Sequence, residues 1–180
     1  MSKYIAFLRA INVTNRFVKM EDLRELFVQM AFNDVETYIQ SGNVIFSTTE
    51  TDEQILEAKI ETHLENALGF AVPTMIRNQE SMMAIANSDP FPQIGEMEKA
   101  TSYVSFLKET PAPELQEKLE ALSDGMDTFL IQQRELHWLY DRTKGQSKMT
   151  NGKVEKILKV AATRRNMNTV QKITKKYFGL

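Results

Sequence analysis

The spacing of apolar positions changes period several times along the chain, and each change predicts an element. Tyr4 to Leu8 is a continuous apolar run that reads as a strand ending at Arg9. A loop follows from Asn12 to Val18. Met20, Leu23, Phe27 and Met30 then recur at helical spacing. From Val35 to Phe46 the period becomes two, which predicts a pair of strands joined at Ser41-Gly42. With a two-residue loop there, Gln40 faces Asn43, Ile39 faces Val44, Tyr38 faces Ile45 and Thr37 faces Phe46. Val35, Ile39, Val44 and Phe46 then make a core face, and Tyr38, Gln40, Asn43 and Ile45 make the other. Gly42 supplies the positive φ of so tight a turn. Thr51-Asp52-Glu53-Gln54 has the form of a capping box and opens a second helix through Ile55, Ile60, Leu64 and Leu68. Gly69 suits its end, and Val72 to Ile76 reads as a fourth strand.

The pattern then restarts. Ser81 to Ala86 predicts a short helix, Asp89-Pro90-Phe91-Pro92 breaks it, and Gln93 to Lys99 reads as a linker. Thr101 to Leu107 alternates as a strand, and Pro113 opens a helix through Leu115, Leu119 and Leu122. Asp127 to Ile131 and Glu135 to Tyr140 predict a hairpin around Gln132 to Arg134. Val154, Ile157, Leu158 and Ala161 mark one more helix, and Val170, Ile173 and Tyr177 the last. The first half thus reads βαββαβ. The second reads βαββα, with a helix where the fourth strand of a full repeat would come. The expected fold is α+β, two ferredoxin-like units in tandem over residues 1–92 and 99–180, the second modified with a C-terminal helix.

That topology predicts where chemistry would collect. Strands 1 and 2 run parallel with strand 3 antiparallel between them. The end of strand 1 and the turn between strands 2 and 3 then share one sheet edge. Arg9, Asn12, Ser41 and Asn43 meet there beside the N-terminus of the first helix, a setting suited to an anion or carboxylate. The alternative is a polar turn cluster held together for its own geometry.

Charge sharpens the picture. The chain of 180 residues carries a net charge of −2, but from Arg142 to Leu180 there are 11 basic residues and one acid, Glu155, a net of +10. The remainder holds the other 11 basic and 23 acidic residues, a net of −12. The basic segment either meets an anionic partner, docks on the acidic remainder through a stripe formed by Lys153, Lys156 and Lys159, or is simply solvated. The chain has no cysteine, which removes disulfides, thiol nucleophiles and thiolate metal sites. No apolar run approaches a membrane span, and Met1-Ser2-Lys3-Tyr4 leads straight into a strand. A cytosolic location is therefore expected.

Other chemistry finds little support. His63 and His137 have no patterned partners, so neither a metal site nor a cofactor is implied. Gly145 to Lys153 lacks the spacing of a phosphate loop, and Ser41 is not in a nucleophile elbow.

Several stretches together resemble a known family. Leu8-Arg9-Ala10-Ile11-Asn12-Val13, Val18-Lys19-Met20 and Thr37-Tyr38-Ile39-Gln40-Ser41-Gly42-Asn43-Val44-Ile45-Phe46 are similar to the signature of a large bacterial family of unknown function, DUF 1697. Asp89-Pro90-Phe91 resembles that family's N-P-F step, and Thr163 to Val170 its T-x-R-N-W-x-T-V ending. The resemblance implies two ferredoxin-like repeats and no established activity. It implicates Arg9, Asn12, Tyr38, Ser41, Gly42 and Asn43 at the front, and Thr163, Arg165, Asn166 and Thr169 at the back. Three places depart from the family pattern. Ala10 stands for a glycine, Thr14-Asn15 for a glycine pair, and Met167 for an aromatic residue.

The combined expectation is a cytosolic module that binds an anionic small molecule or nucleic acid. Arg165 would turn toward the first repeat to line a shared cleft with Arg9, Asn12, Tyr38, Ser41, Asn43 and Asn166. The alternatives are an enzyme in which Arg9 and Arg165 orient a small anionic substrate while Tyr38 or Ser41 acts chemically, and a structural or oligomerising protein.

Overall fold

The computed structural model describes residues 1–13, 16–92 and 100–179. The expected linker Gln93 to Lys99 and the Thr14-Asn15 departure lie outside them. The elements run β1 (Ser2–Leu8), α1 (Met20–Gln29), β2 (Asn33–Thr37), β3 (Asn43–Thr48), α2 (Glu53–Leu68), β4 (Thr74–Asn78), α3 (Gln79–Asn87), β5 (Ala100–Leu107), α4 (Pro113–Glu120), β6 (Asp127–Gln132), β7 (Glu135–Asp141), α5 (Asn151–Leu158), β8 (Ala162–Asn166) and α6 (Met167–Tyr177). They make an α+β protein with two four-stranded antiparallel sheets, ordered β2-β3-β1-β4 and β6-β7-β5-β8. The chain divides into two compact units. The first comprises Met1–Ile85 and the residues from Ile173 onward, and the second Ala86–Lys172. No helix among the described residues is long and apolar enough to cross a membrane.

In the first unit, β1 lies between β3 and β4, with Tyr4 opposite both Phe46 and Asn78. Tyr4, Ala6 and Leu8 share a face with Val44, Phe46 and Ile76 and pack on Leu23 and Phe27 of α1 and Leu56, Ile60 and Leu64 of α2. Burying each large apolar side chain contributes about 1.5–3 kcal/mol. The reverse face, with Ile5, Phe7, Ile45 and Met75, is buried as well. This is why Ile45, which alternation alone assigns to a mixed face, is sequestered. Two carboxylates of α2 finish the β4 edge. Glu61 accepts from Thr74 N at 2.8 Å and Glu57 from Ile76 N at 2.9 Å. Asp52 caps α2 through the N–H groups of Gln54 and Ile55, one residue later than the expected capping box begins, and Gly69 ends it at φ 77°.

The hairpin differs from its expected form. Thr37 pairs with Val44 and Glu36 with Ile45, two residues out of the register of a Ser41-Gly42 turn. A shift by two keeps the side chains that remain paired on their faces, so Val35 and Val44 still reach the core. The connection becomes the five residues Tyr38 to Gly42. Ile39 leaves the core face altogether and is 53% exposed at φ 51°.

In the second unit β5 is central, with Tyr103 opposite both Trp138 and Asn166. Leu107, Phe129, Ile131, Leu136, Trp138 and Ala162 pack against Leu119 of α4 and Val154 and Leu158 of α5. A fourth strand, β8, occupies Ala162–Asn166, where the sequence suggests only a joint between helices. Its Thr-Arg-Arg-Asn residues carry no apolar alternation. What makes them a strand is pairing along β5 and a carboxylate on the edge, Glu155 accepting from Ala162 N at 2.8 Å. Both halves therefore run βαββαβα, and the final helix α6 is the counterpart of α3 rather than a replacement for the fourth strand.

Candidate functional site

The end of β1 and the β2–β3 connection meet, as the topology requires. Leu8 N donates to Gly42 O at 2.8 Å, and Tyr38 N to Asn43 O at 3.0 Å. Asn12 ties three segments together. Its Nδ2 donates to Gln40 O at 3.1 Å, and its Oδ1 accepts from Val18 N at 2.8 Å. Its backbone N–H reaches Arg16 O. Asn43 is fully buried and donates from Nδ2 to Tyr38 O at 3.0 Å and Ser41 Oγ at 2.9 Å. The half-buried Arg9 donates from its backbone to Pro73 O.

These contacts hold the two loops in costly backbone conformations. Ala10, Asn12 and Ile39 all have positive φ, at 58°, 57° and 51°. Asparagine tolerates this region, but a β-branched isoleucine is an outlier there. Gly42 takes φ 68°, and a Cβ on it would lie 3.0 Å from Leu8 Cβ. Strain of this kind persists where surrounding structure over-determines it, and it concentrates at sites of function. Beside the strained loops is an open groove of about 460 Å³ lined by Asn12, Phe17, Val18, Lys19, Met20 and Gln40. Phe17 is 77% exposed, so the groove has an open aromatic wall as well as amide and ammonium groups.

The groove borders the start of α1, whose cap residue, Lys19, makes no side-chain cap bond. Residues 1–20 contain Lys3, Arg9, Arg16 and Lys19 and no acid, a basic run in an otherwise acidic first 141 residues. That local count is the signal that could have pointed to Lys19. Gln40 stands out in the sequence as a polar residue of the hairpin motif, but nothing there marks Phe17, because its role depends on which loops meet. Glu21 and Asp22 follow in the first turn of α1.

Tyr38 stands at the same loop but is engaged elsewhere. Its ring meets Tyr177 edge-on at 6.1 Å, and the Lys176 ammonium lies 5.9 Å from its centre. Lys176 also pairs with Glu36 at 3.9 Å and donates to the Tyr177 hydroxyl, the larger cause of its raised pKa.

Arg165 and Asn166 belong to the second unit, at the end of β8. Arg165 is only 8% exposed, and its Nη1 donates to Thr163 Oγ1 at 2.8 Å and Arg164 O at 2.9 Å. Burial pushes its guanidinium down to about 10. Asn166 Oδ1 accepts from Asn168 N, closing the first turn of α6. The first unit repeats this arrangement with an Arg-Asn pair that no sequence motif marks. Arg77 is 1% exposed and donates to Ile76 O, and Asn78 Oδ1 accepts from Ser81 N. In each unit the pair sits at the strand-to-helix junction. The neighbouring arginine, Arg164, is half-buried on the opposite face of β8. Burial lowers its pKa, opposed by Tyr103 and Asp127.

The basic stripe on α5 faces outward. Lys153, Lys156 and Lys159 are exposed, and among the described residues none forms an ion pair. Lys153 Nζ donates to Lys148 O instead. The expected docking of these three lysines on acids thus has no ion pair behind it among the described residues. Among the described residues no cluster of three or more His, Asp or Glu side chains could hold a metal ion.

A model of the family described as "Protein of unknown function (DUF1697)" matches residues 1–137. No curated protein matches the chain. Among solved structures, the conserved bacterial protein SP0830 from Streptococcus pneumoniae superposes with a TM-score of 0.74 at 23% identity, over 98% of each chain. That likeness concerns the fold alone.

Proposed function

The chain belongs to the DUF1697 family, and we propose that it binds an anionic ligand, a phosphorylated metabolite or a nucleic-acid strand, at the strained sheet edge of its first unit. The strand order and the pair of helices packed on one face of each sheet favour a ferredoxin-like reading of both units. One observation carries the binding proposal: the groove where Asn12, Lys19 and Gln40 meet beside three non-glycine residues held at positive φ. The charge comes from Arg9, Arg16 and Lys19, which have no acid among them in sequence. Phe17 offers a face on which a base or other flat group could stack.

The proposal is tested by thermal-shift and calorimetric titration of the whole protein with inorganic phosphate, nucleoside monophosphates and a mixed single-stranded oligonucleotide. At least one is expected to saturate, and Lys19→Gln and Phe17→Ala to weaken it several-fold. A nucleic-acid ligand would add a steep loss of affinity with salt, from counterion release. If no probe binds at low salt, or if Lys19→Gln leaves the affinity unchanged, the site is not this groove.

A further inference from the structure

The two units are copies, and the places where they differ are informative. The strand registers align them residue by residue. Tyr4, Phe46 and Asn78 meet in the first unit as Tyr103, Trp138 and Asn166 meet in the second. By that alignment Ile76 corresponds to Arg164, and Ala6 to Ser105. The helices align through their edge carboxylates. Glu61 accepts from Thr74 N as Glu155 accepts from Ala162 N, so Glu57, one turn earlier, corresponds to Asn151.

At the two strand positions the second unit becomes polar, and at the helix position it exchanges a paired carboxylate for an amide whose oxygen has no protein partner. In the first unit Ala6 and Ile76 are fully buried in an apolar core, and Glu57 satisfies Ile76 N. In the second, Ser105 is 1% exposed and its Oγ makes no hydrogen bond. Asn151 donates to Ala162 O, and its buried Oδ1 is unpaired. Arg164 lies directly across from Ser105. Its guanidinium carbon sits 4.5 Å from the centre of the Trp138 ring and 4.7 Å from that of Tyr103. Among the described residues the guanidinium makes no hydrogen bond and no ion pair.

Asp127, whose charge acts on Arg164, is bonded to other donors. Asp127 Oδ1 accepts from Trp138 Nε1 at 2.7 Å, and Oδ2 from Ser147 Oγ at 2.6 Å. These bonds fix the Trp138 ring and tie the segment after β7 to the sheet. Arg164 is thus oriented by two aromatic faces, with its N–H edge left over. A half-buried cation gives up part of its hydration. Stacking on aromatic faces offsets part of that and leaves the planar fork free for two parallel bonds to an oxyanion.

We propose that the second unit holds a separate oxyanion site, in which the Arg164 guanidinium, stacked on Tyr103 and Trp138, grips a carboxylate or phosphate group. The Ser105 hydroxyl, opposite Arg164 in the ladder, supplies a further donor beside it. This site lies in another unit from the groove at Lys19 and does not depend on it.

The chain has one tryptophan, Trp138, so the site carries its own reporter. Emission of the full-length protein is titrated with acetate, citrate and inorganic phosphate at constant ionic strength, alongside Arg164→Gln, Arg164→Lys and Lys19→Gln. A saturable change is expected with at least one probe, and the carboxylate and phosphate arms tell which oxyanion is preferred. Arg164→Gln should weaken it at least tenfold, the scale of a lost charged hydrogen bond. Arg164→Lys, which keeps the charge but not the fork, should weaken it too, and Lys19→Gln should leave it unchanged. Circular dichroism checks that each variant folds. If Arg164→Gln does not fold, Arg164→Lys decides alone. No saturable response from any probe, meaning that only water fills the unpaired positions, overturns the proposal. So does an unchanged affinity in a folded Arg164 variant.

Discussion

Gly42 offers the sharpest test of how the first unit holds its strained edge. Replacing it with alanine meets two separate penalties. At φ 68° an L-residue is strained by roughly 1–2 kcal/mol. The new Cβ would also stand 3.0 Å from Leu8 Cβ and 3.3 Å from both Ile11 Cβ and Leu8 O. Neither Cβ is the end of a flexible side chain, and the backbone there is pinned by the bond from Leu8 N to Gly42 O. Overpacking of this kind costs about 1–3 kcal/mol. The sum is about 2–5 kcal/mol, or on the order of 5–15 °C in melting temperature for a chain of this size. Gly69 is the matched control. It has φ 77°, but a Cβ added there would meet nothing within 4 Å, so Gly69→Ala meets only the backbone penalty. Calorimetry and far-ultraviolet circular dichroism are the appropriate assays, since Trp138 reports on the second unit. If Gly42→Ala costs no more than Gly69→Ala, the close approach of the hairpin to β1 is not what fixes this edge.

Two further substitutions probe strain and burial. Ala10→Gly should stabilise the protein by about 0.5–1 kcal/mol, because Ala10 is held at φ 58° and glycine escapes most of that strain at some cost in chain entropy; an unchanged or lower urea midpoint would refute it. His137 is 1% exposed and desolvation lowers its pKa below the ordinary 6.5. The unfolded chain therefore takes up a proton first as pH falls, so the His137 contribution is present above about pH 6.5 and is lost below it. His137→Leu should flatten the fall in stability between about pH 6.5 and 5, where the slope from one such group is at most about 1.4 kcal/mol per unit. An identical pH profile in the variant would show that another group governs it.

The sequence by itself determined the periods, and with them most of the elements. The helical spacing of Met20, Leu23 and Phe27, the N-terminal Pro113 and the terminal Gly69 each specify local structure through short-range sterics and capping, which need no distant partner. It also determined that the loops after β1 and between β2 and β3 would meet, since that follows from strand order alone. Tertiary structure decided the rest. β8 has no apolar alternation, and only its ladder to β5 and the Glu155 carboxylate make it a strand. The hairpin register was free to slip by two without moving any paired side chain off its face, so the pattern could not choose between a two-residue and a five-residue connection. The fates of Arg164 and Arg165 were equally illegible. Adjacent residues of a strand point to opposite faces, and what waits on each face is set by other segments. For Arg165 that is near-complete burial, and for Arg164 it is a stack on Tyr103 and Trp138 that leaves its donors unspent.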